Sequence, residues 1–296
     1  MTLLKGKGPG GVVYSTDDRW NAYITRNRSG LRGAGALFPF SSATAINLVA
    51  DKLALPSLAD GIVDVPETRL YEQMAVPVDS IVKPRFPFNG LVIRKKGASV
   101  GEIVEEYGRG EAFVIQKRIL APLRSHFSLC GLRTNKILGA LVYAKALEYP
   151  HPGGTSTLSV IVDDAQLHDQ LLGLSEQLLD RLRYQGPFEI EFIRCEGSGN
   201  LFLIDVNLRF WLQHELGRLL GIDYAALYRR WLSGESVSDP IRLPGRVAWV
   251  HEGFPLSLVL DYASARVAVR EMLGRRCLLA HLRRDDPRPF WRFLGV

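Results

Sequence analysis

Hydrophobic and polar residues alternate along two stretches close to residue 200, and this alternation predicts a β-hairpin. The first stretch, residues 188–193, has the sequence FEIEFI, and the second, residues 201–209, has the sequence LFLIDVNLR. Between them, residues 194–200 (RCEGSGN) supply the glycine, serine and asparagine that are typical of a turn. Because side chains alternate between the two faces of a strand, every second residue of each strand shares a face.

Charged and amide side chains occupy one face of this predicted hairpin. If the turn is centred near Ser198, antiparallel pairing places Glu191 opposite Asp205. Two carboxylates at that separation repel each other unless a cation lies between them. Asn207 and Arg209 share the face of Asp205 and add an amide oxygen and a guanidinium that suits phosphate, so the pattern indicates a magnesium–phosphate site. The alternative is an exposed face whose charges are hydrated.

Other periodic segments predict a mixed α/β chain, in which a small α+β unit precedes longer strands and helices. Strands are predicted at residues 12–14, 80–83, 91–95, 112–116, 137–147, 158–162 and 247–251. Helices are predicted from Ser15 or Thr16 to about residue 28, from Ser41 or Ser42 to residue 55, and at residues 70–75, 99–107, 165–184, 213–220, 224–233 and 258–273.

The composition is typical of a soluble globular protein with room for two or three small domains. The chain has 296 residues, of which 47% are hydrophobic and 23% charged, and its net charge of +6 favours anionic ligands in general. Three widely spaced cysteines form no pair motif. Since we find neither a signal peptide nor an apolar run of membrane-spanning length, we expect a cytoplasmic protein.

Seven short motifs, taken in order, resemble those of the ATP-grasp superfamily, and within it the carbamoyl-phosphate-synthase-like carboxylate–amine ligases. The motifs are residues 51–52 (DK), 66–68 (PET), 81–84 (IVKP), 114–116 (VIQ), 153–156 (GGTS), 186–192 (GPFEIEF) and 204–209 (IDVNLR). The resemblance rests on their order and spacing over residues 42–235. Asp205 departs from the family pattern, which more often has glutamate there.

The resemblance implies an ATP-grasp fold, with a small α+β lid subdomain and a larger antiparallel-sheet subdomain. The implied division is a shortened N-terminal α/β portion at residues 1–75, the small subdomain at 76–122, the large subdomain with the metal site at 123–238, and a C-terminal extension at 239–296. Family members usually begin with a whole α/β domain, so the short first portion is a second departure.

The resemblance also implies which residues would bind ATP. Lys52 and Lys83 would reach the phosphates as point charges. The adenine edge and the glycine loop would be formed by Gln116, Lys117, Ile119, Gly153 and Gly154.

On the hairpin, the resemblance implies that Glu191, Asp205 and Asn207 hold Mg²⁺, with Mn²⁺ as an alternative ion, and that Arg209 acts in catalysis on the transferring phosphoryl group. Glu189 shares the face of Glu191 and could replace it, but the family register favours Glu191. The implied reaction is the ADP-forming ligation of a small-molecule carboxylate, such as an amino acid, to an amine through an acyl phosphate.

Two other hypotheses stay open at this point. A nucleotide-binding protein that is non-catalytic or truncated, and needs a partner or a homodimer to supply its missing front portion, would carry the same motifs. A basic, aromatic C-terminal segment, RRDDPRPFWRF, could instead contact nucleic acid or an anionic membrane. Because Asp285 and Asp286 interrupt its positive charge, we expect neither nucleic acid nor membrane as a partner.

Overall fold

Two β-sheets form the framework of the chain. The computed structural model describes residues 11–39, 42–71, 77, 79–86, 113–149, 154–243, 245–251, 262–282 and 286–293. Within those residues, one sheet has three strands and the other has seven. The strand predicted at 91–95 and the helix predicted at 99–107 lie outside the described residues.

The three-stranded sheet consists of β1 (Thr68–Leu70), β2 (Ser80–Pro84) and β3 (Phe113–Lys117). The last of these lies in the centre and pairs antiparallel with both neighbours. The predictions of β2 and β3 are confirmed, but the helix predicted from residue 70 is wrong at its start, because Leu70 ends a strand. Residues 72–76 lie outside the described part of the chain. Strand β1 has three residues, too few to show the alternation that predicts a strand, and its conformation depends on its pairing with β3.

The seven-stranded sheet has the order β10-β9-β6-β5-β4-β7-β8. Its strands are β4 (His126–Arg133), β5 (Ile137–Tyr149), β6 (Thr155–Ile161), β7 (Gly186–Arg194), β8 (Leu201–Asn207), β9 (Val247–Val250) and β10 (Arg276–Leu279). Neighbours pair antiparallel except β9 and β10, which are parallel. Strand β6 begins three residues earlier than predicted, since Thr155 already pairs with Tyr149.

The predicted hairpin is confirmed as β7 and β8. Glu191 pairs with Asp205 and Glu189 with Asn207. A bulge follows Glu191, so that Phe192 pairs with Leu203. The polar residues therefore keep the predicted register where the two strands carry them.

The described residues also form helices, several of which pack on the large sheet. The helices are α1 (Asp18–Arg26), α2 (Arg28–Gly33), α3 (Ala43–Ala50), α4 (Leu55–Ala59), α5 (Ala165–Arg181), α6 (Leu216–Leu219), α7 (Tyr224–Leu232), α8 (Tyr262–Met272) and α9 (Arg288–Phe293). Ser42 caps α3 as predicted, whereas Asp17 and not Ser15 or Thr16 caps α1, because its carboxylate accepts a hydrogen bond from the Arg19 backbone. The helix predicted at 213–220 is reduced to the short α6.

One buried cluster lies between the sheet and α5. Leu171 and Leu178 of that helix belong to it, as do Phe188, Ile190 and Phe192 of β7. Since side chains alternate along a strand, Glu189 and Glu191 of β7 point to the opposite face. The acidic face of the hairpin therefore lies on the side of the sheet away from α5.

A second buried cluster covers the rest of that opposite face, and Trp211 and Trp249 are its largest members. Gly139 of β5 has a φ of +62°, and a Cβ there would lie 2.9 Å from Ile222 Cγ2, so glycine permits both the bend and the close approach. In the described part of the chain, no helix combines the length and the apolar character needed to cross a membrane.

Candidate functional site

A cleft of about 970 Å³ lies between the three-stranded sheet and the acidic face of β7 and β8. Its lining includes Lys52, Lys83, Gln116, Lys117, Ile119, Gly154, Glu191, Asp205, Asn207 and Arg209. These residues come from distant parts of the sequence and were all predicted as site residues. Gly153, also predicted, lies outside the described residues.

A buried chain of hydrogen bonds crosses the three-stranded sheet at the wall of the cleft. Lys83 Nζ donates to Gln116 Oε1 at 2.9 Å, and Gln116 Nε2 donates to Thr68 Oγ1, also at 2.9 Å. Thr68 Oγ1 donates in turn to the Pro66 carbonyl at 2.8 Å. Only 8% of Lys83 and 2% of Gln116 are exposed. The ammonium group of Lys83 is therefore held at the cleft by a hydrogen bond to a buried, neutral side chain.

An ion pair places Lys52 next to this wall. Arg85 donates to both carboxylate oxygens of Asp51, with distances of 2.7 Å from Nε and 2.5 Å from the terminal nitrogen. This hydrogen bonding lowers the pKa of the Asp51 carboxyl below its ordinary value. The Lys52 backbone N–H also donates to the Arg85 carbonyl at 3.1 Å. The segment after α3 is thus fastened to the end of β2, and Lys52 lines the same cleft as Lys83.

The acidic face of the hairpin forms the opposite side of the cleft. Asn207 Nδ2 donates to Glu189 Oε2 at 3.2 Å and to Glu191 Oε1 at 3.1 Å, so one amide group holds two carboxylates. Asn207 Oδ1 accepts from Arg209 at 3.1 Å. Asp205 lies opposite Glu191 and lines the cleft with it.

Glu189 differs from Glu191 in its surroundings. It is buried, whereas Glu191 is half-buried, and it accepts a hydrogen bond from the Tyr143 hydroxyl. Burial, together with the charge of Glu191, raises the pKa of Glu189 to about 7. Glu191 and Asp205 are therefore the more accessible pair of carboxylates on this face.

The donor set fits a hard divalent cation, because two carboxylates and an amide oxygen are the kind of ligands that Mg²⁺ takes. The crowding of Glu189 against Glu191 fits it too, since a cation relieves that repulsion. Among the described residues, no group of three or more His, Cys, Asp or Glu side chains is arranged to hold a metal ion. The predicted set contains only two carboxylates, and its third member is the amide of Asn207.

Arg209 is held by three acceptors. Its Nε donates to Asp18 Oδ1 at 3.1 Å, and its terminal nitrogens donate to the Phe210 carbonyl and to Asn207 Oδ1, both at 3.1 Å. Burial opposes the charged guanidinium, but Asp18, Glu189 and Asp205 outweigh it and raise the pKa of Arg209 above its ordinary value.

The lining also includes residues that were not predicted individually as site residues, among them four polar ones: Asp18, Tyr143, Lys145 and Gln213. Lys145 Nζ donates to Glu148 Oε2 and to the Gly154 carbonyl, both at 3.3 Å. The sequence carried a signal for two of the four, because Tyr143 and Lys145 are two residues apart on the predicted strand at 137–147 and share a face. Asp18 and Gln213 had no such signal.

No family model matches the sequence, and no curated protein does. Among solved structures, an L-amino acid ligase from Bacillus licheniformis matches with a TM-score of 0.61 at 15% identity, over 83% of this chain and 62% of that chain. A putative ATP-grasp superfamily protein from Archaeoglobus fulgidus matches with a TM-score of 0.54 at 16% identity, over 83% and 70%. The biotin carboxylase domain of 2-oxoglutarate carboxylase from Hydrogenobacter thermophilus, solved with MgADP, ADP and bicarbonate, matches with a TM-score of 0.57 at 16% identity, over 76% and 54%.

These likenesses show that the chain has the ATP-grasp fold, and they confirm the fold class predicted from the sequence motifs. At this level of identity they establish the fold alone. The chain also spans only part of its neighbours, as little as 23% of a pyruvate carboxylase from Rhizobium etli.

Proposed function

From the ATP-grasp fold and the residues of its cleft, we propose that the protein binds MgATP and uses it as an ADP-forming carboxylate–amine ligase. The observation that carries the proposal is that lysine side chains and a set of carboxylate and amide side chains line opposite sides of one cleft. Lys52 and Lys83 line one side, and Glu191, Asp205 and Asn207 line the other. A polyphosphate with its cation needs both sets, because phosphate oxygens require positive charge and the cation requires oxygen ligands.

On the small-sheet side, Lys83 and Lys52 would neutralise phosphate charge. Lys83 is held in place by Gln116, which is itself held by Thr68, so the ammonium group reaches the cleft in a fixed position. Gln116, Lys117 and Ile119 lie where the chain leaves β3 and would line the adenine edge.

On the hairpin side, the oxygens of Glu191, Asp205 and Asn207 would hold Mg²⁺, or Mn²⁺ in its place. When bound, the ion would supply positive charge that neutralises phosphate. The buried Glu189 lines the same cleft and helps to keep Asn207 in place by accepting a hydrogen bond from its amide.

Arg209 would stabilise the negative charge that develops on the transferring phosphoryl group. Its guanidinium is fixed by three hydrogen bonds, so little reorganisation is needed when that charge appears. A substrate carboxylate would attack the terminal phosphorus and release ADP. An amine would then displace phosphate from the acyl phosphate, which requires positioning by the protein but no protein nucleophile. We infer small-molecule substrates, with amino acids among the candidate carboxylates and amines.

Calorimetry with ADP, in the presence and absence of MgCl₂, tests the binding step. We expect magnesium-dependent binding that Asp205→Asn weakens at least about tenfold, since metal sites lose such factors even when supporting residues change. Asp163→Asn is the matched control, because Asp163 is exposed and lies outside the cleft. A wild-type protein that binds neither ADP nor ATP with Mg²⁺ present would refute the proposal.

Release of ADP, measured by a coupled assay over a panel of carboxylates and amines, tests the reaction. We expect release that requires a carboxylate and rises further when the matching amine is added. Nucleotide binding without ADP release from any pair would favour a non-catalytic nucleotide-binding protein instead.

A further inference from the structure

Helix α1 and the segment that leads into it form hydrogen bonds with the chain just after β8. The Phe210 backbone N–H donates to the Ser15 carbonyl at 2.9 Å. Asn21 Nδ2 donates to the Leu208 carbonyl, which also accepts from the Tyr184 hydroxyl at 3.1 Å. The two residues that flank Arg209 are thus fixed by an element that lies far away in sequence.

Asp18 contacts the residue between them. Its Oδ1 accepts from Arg209 Nε at 3.1 Å, and the exposed fractions of the two side chains are 28% for Asp18 and 20% for Arg209. Asp18 also lines the cleft, so the ion pair belongs to the wall of the site. A partly buried charge-assisted hydrogen bond of this kind restricts the guanidinium more than an exposed ion pair does.

The three acceptors of Arg209 lie at different nitrogens. Asp18 binds Nε, the Phe210 carbonyl binds one terminal nitrogen and Asn207 binds the other. Of these acceptors, Asp18 alone is a charged group and alone comes from outside the strand and its continuation. Removing it leaves the guanidinium attached only to its own segment, with more freedom to rotate.

We propose that Asp18 is a positioning residue that orients the guanidinium of Arg209 toward the cleft. The contribution to catalysis rests on the proposed function, whereas the orientation itself does not. Helix α1 thus contributes a residue to the site. Asp18 acts through Arg209 and does not itself contact the phosphoryl group.

Nuclear magnetic resonance of the protein labelled with ¹⁵N-arginine tests the orientation directly, with the Arg209 Nε–H signal assigned by its loss in Arg209→Lys. In the wild type we expect this proton to exchange with water at least about tenfold more slowly than that of the exposed Arg26. Asp18→Ala, which takes away the acceptor, should remove the protection. Asp17→Asn, a neighbouring change that keeps a residue suited to cap α1, should leave it unaltered.

Unchanged protection in folded Asp18→Ala would overturn the proposal. If that variant fails to fold, the wild type still decides, because exchange as fast as that of Arg26 would equally overturn it.

Steady-state kinetics of the same variants separate this proposal from the proposed function. Where the wild type turns over MgATP, Asp18→Ala should lower kcat at least about tenfold, while the KM for MgATP changes less than about threefold. The same change in an Arg209→Gln background should have little further effect, because a positioning residue acts through its partner. A full additional loss in that background would contradict the proposal. If the wild type does not bind MgATP, the proposed function fails and the exchange measurement still tests the orientation.

Discussion

Replacing Gln116 by leucine tests the hydrogen-bonded wall of the cleft. The change removes one acceptor of Lys83 Nζ and the donor to Thr68 Oγ1 at a position that is 2% exposed. Losing the hydrogen bond to the charged lysine destabilises by about 1.5–3 kcal/mol, and losing the neutral one by about 1 kcal/mol. Burying the more apolar leucine offsets about 1 kcal/mol. We therefore expect Gln116→Leu to lower the free energy of unfolding by about 2 kcal/mol.

Urea unfolding at pH 7.5, followed by circular dichroism, measures this loss. Gln177→Leu is the matched control, because Gln177 is exposed on α5 and its replacement should change the free energy of unfolding by less than about 0.5 kcal/mol. Gln116→Glu keeps an acceptor for Lys83 but brings a negative charge to it, so MgADP affinity should fall at least about tenfold while the fold is retained. Gln116→Leu as stable as the wild type would refute the reasoning about the buried chain.

Three further predictions concern stability. Asp51→Asn removes the ion pair with Arg85. Because hydrogen bonding lowers the pKa of Asp51, the variant should be less stable than the wild type above pH 3.8, and the difference in the free energy of unfolding should shrink as the pH falls below that value. Urea titrations at several pH values measure this difference. Gly139→Ala forces a side chain into a left-handed conformation and against Ile222, and should lower the free energy of unfolding by about 3 kcal/mol in the same assay. Leu129→Ala, at a fully buried site in β4, should lower it by about 3 kcal/mol, and a loss below about 1 kcal/mol would contradict the packing described.

The hairpin could be predicted from the sequence because its determinants are local. Alternation fixes which side chains share a face, and the turn fixes the register, so the pairing of Glu191 with Asp205 followed from residue spacing. The N-cap of α3 at Ser42 and the end of β2 at Lys83-Pro84 were predictable for the same reason, whereas the end of α3 at Ala50 comes earlier than the predicted residue 55.

Contacts between distant segments could not be predicted in that way. Asp18 and Arg209 are 191 positions apart in the sequence, and the residues around each carry no pattern that indicates contact with the other. The hydrogen bond from Tyr143 to Glu189 joins two strands that β4 separates, so it depends on the strand order of the sheet. The burial that raises the pKa of Glu189 is likewise a property of the assembled fold.

A crystal structure of the protein with Mg²⁺ and a non-hydrolysable ATP analogue tests the central claim most directly. We expect a metal ion bound by Glu191, Asp205 and Asn207, with Lys83 and Lys52 on the phosphates and Arg209 beside the terminal phosphate. Nucleotide bound elsewhere, or phosphates in this cleft with no metal at the three hairpin residues, would contradict it.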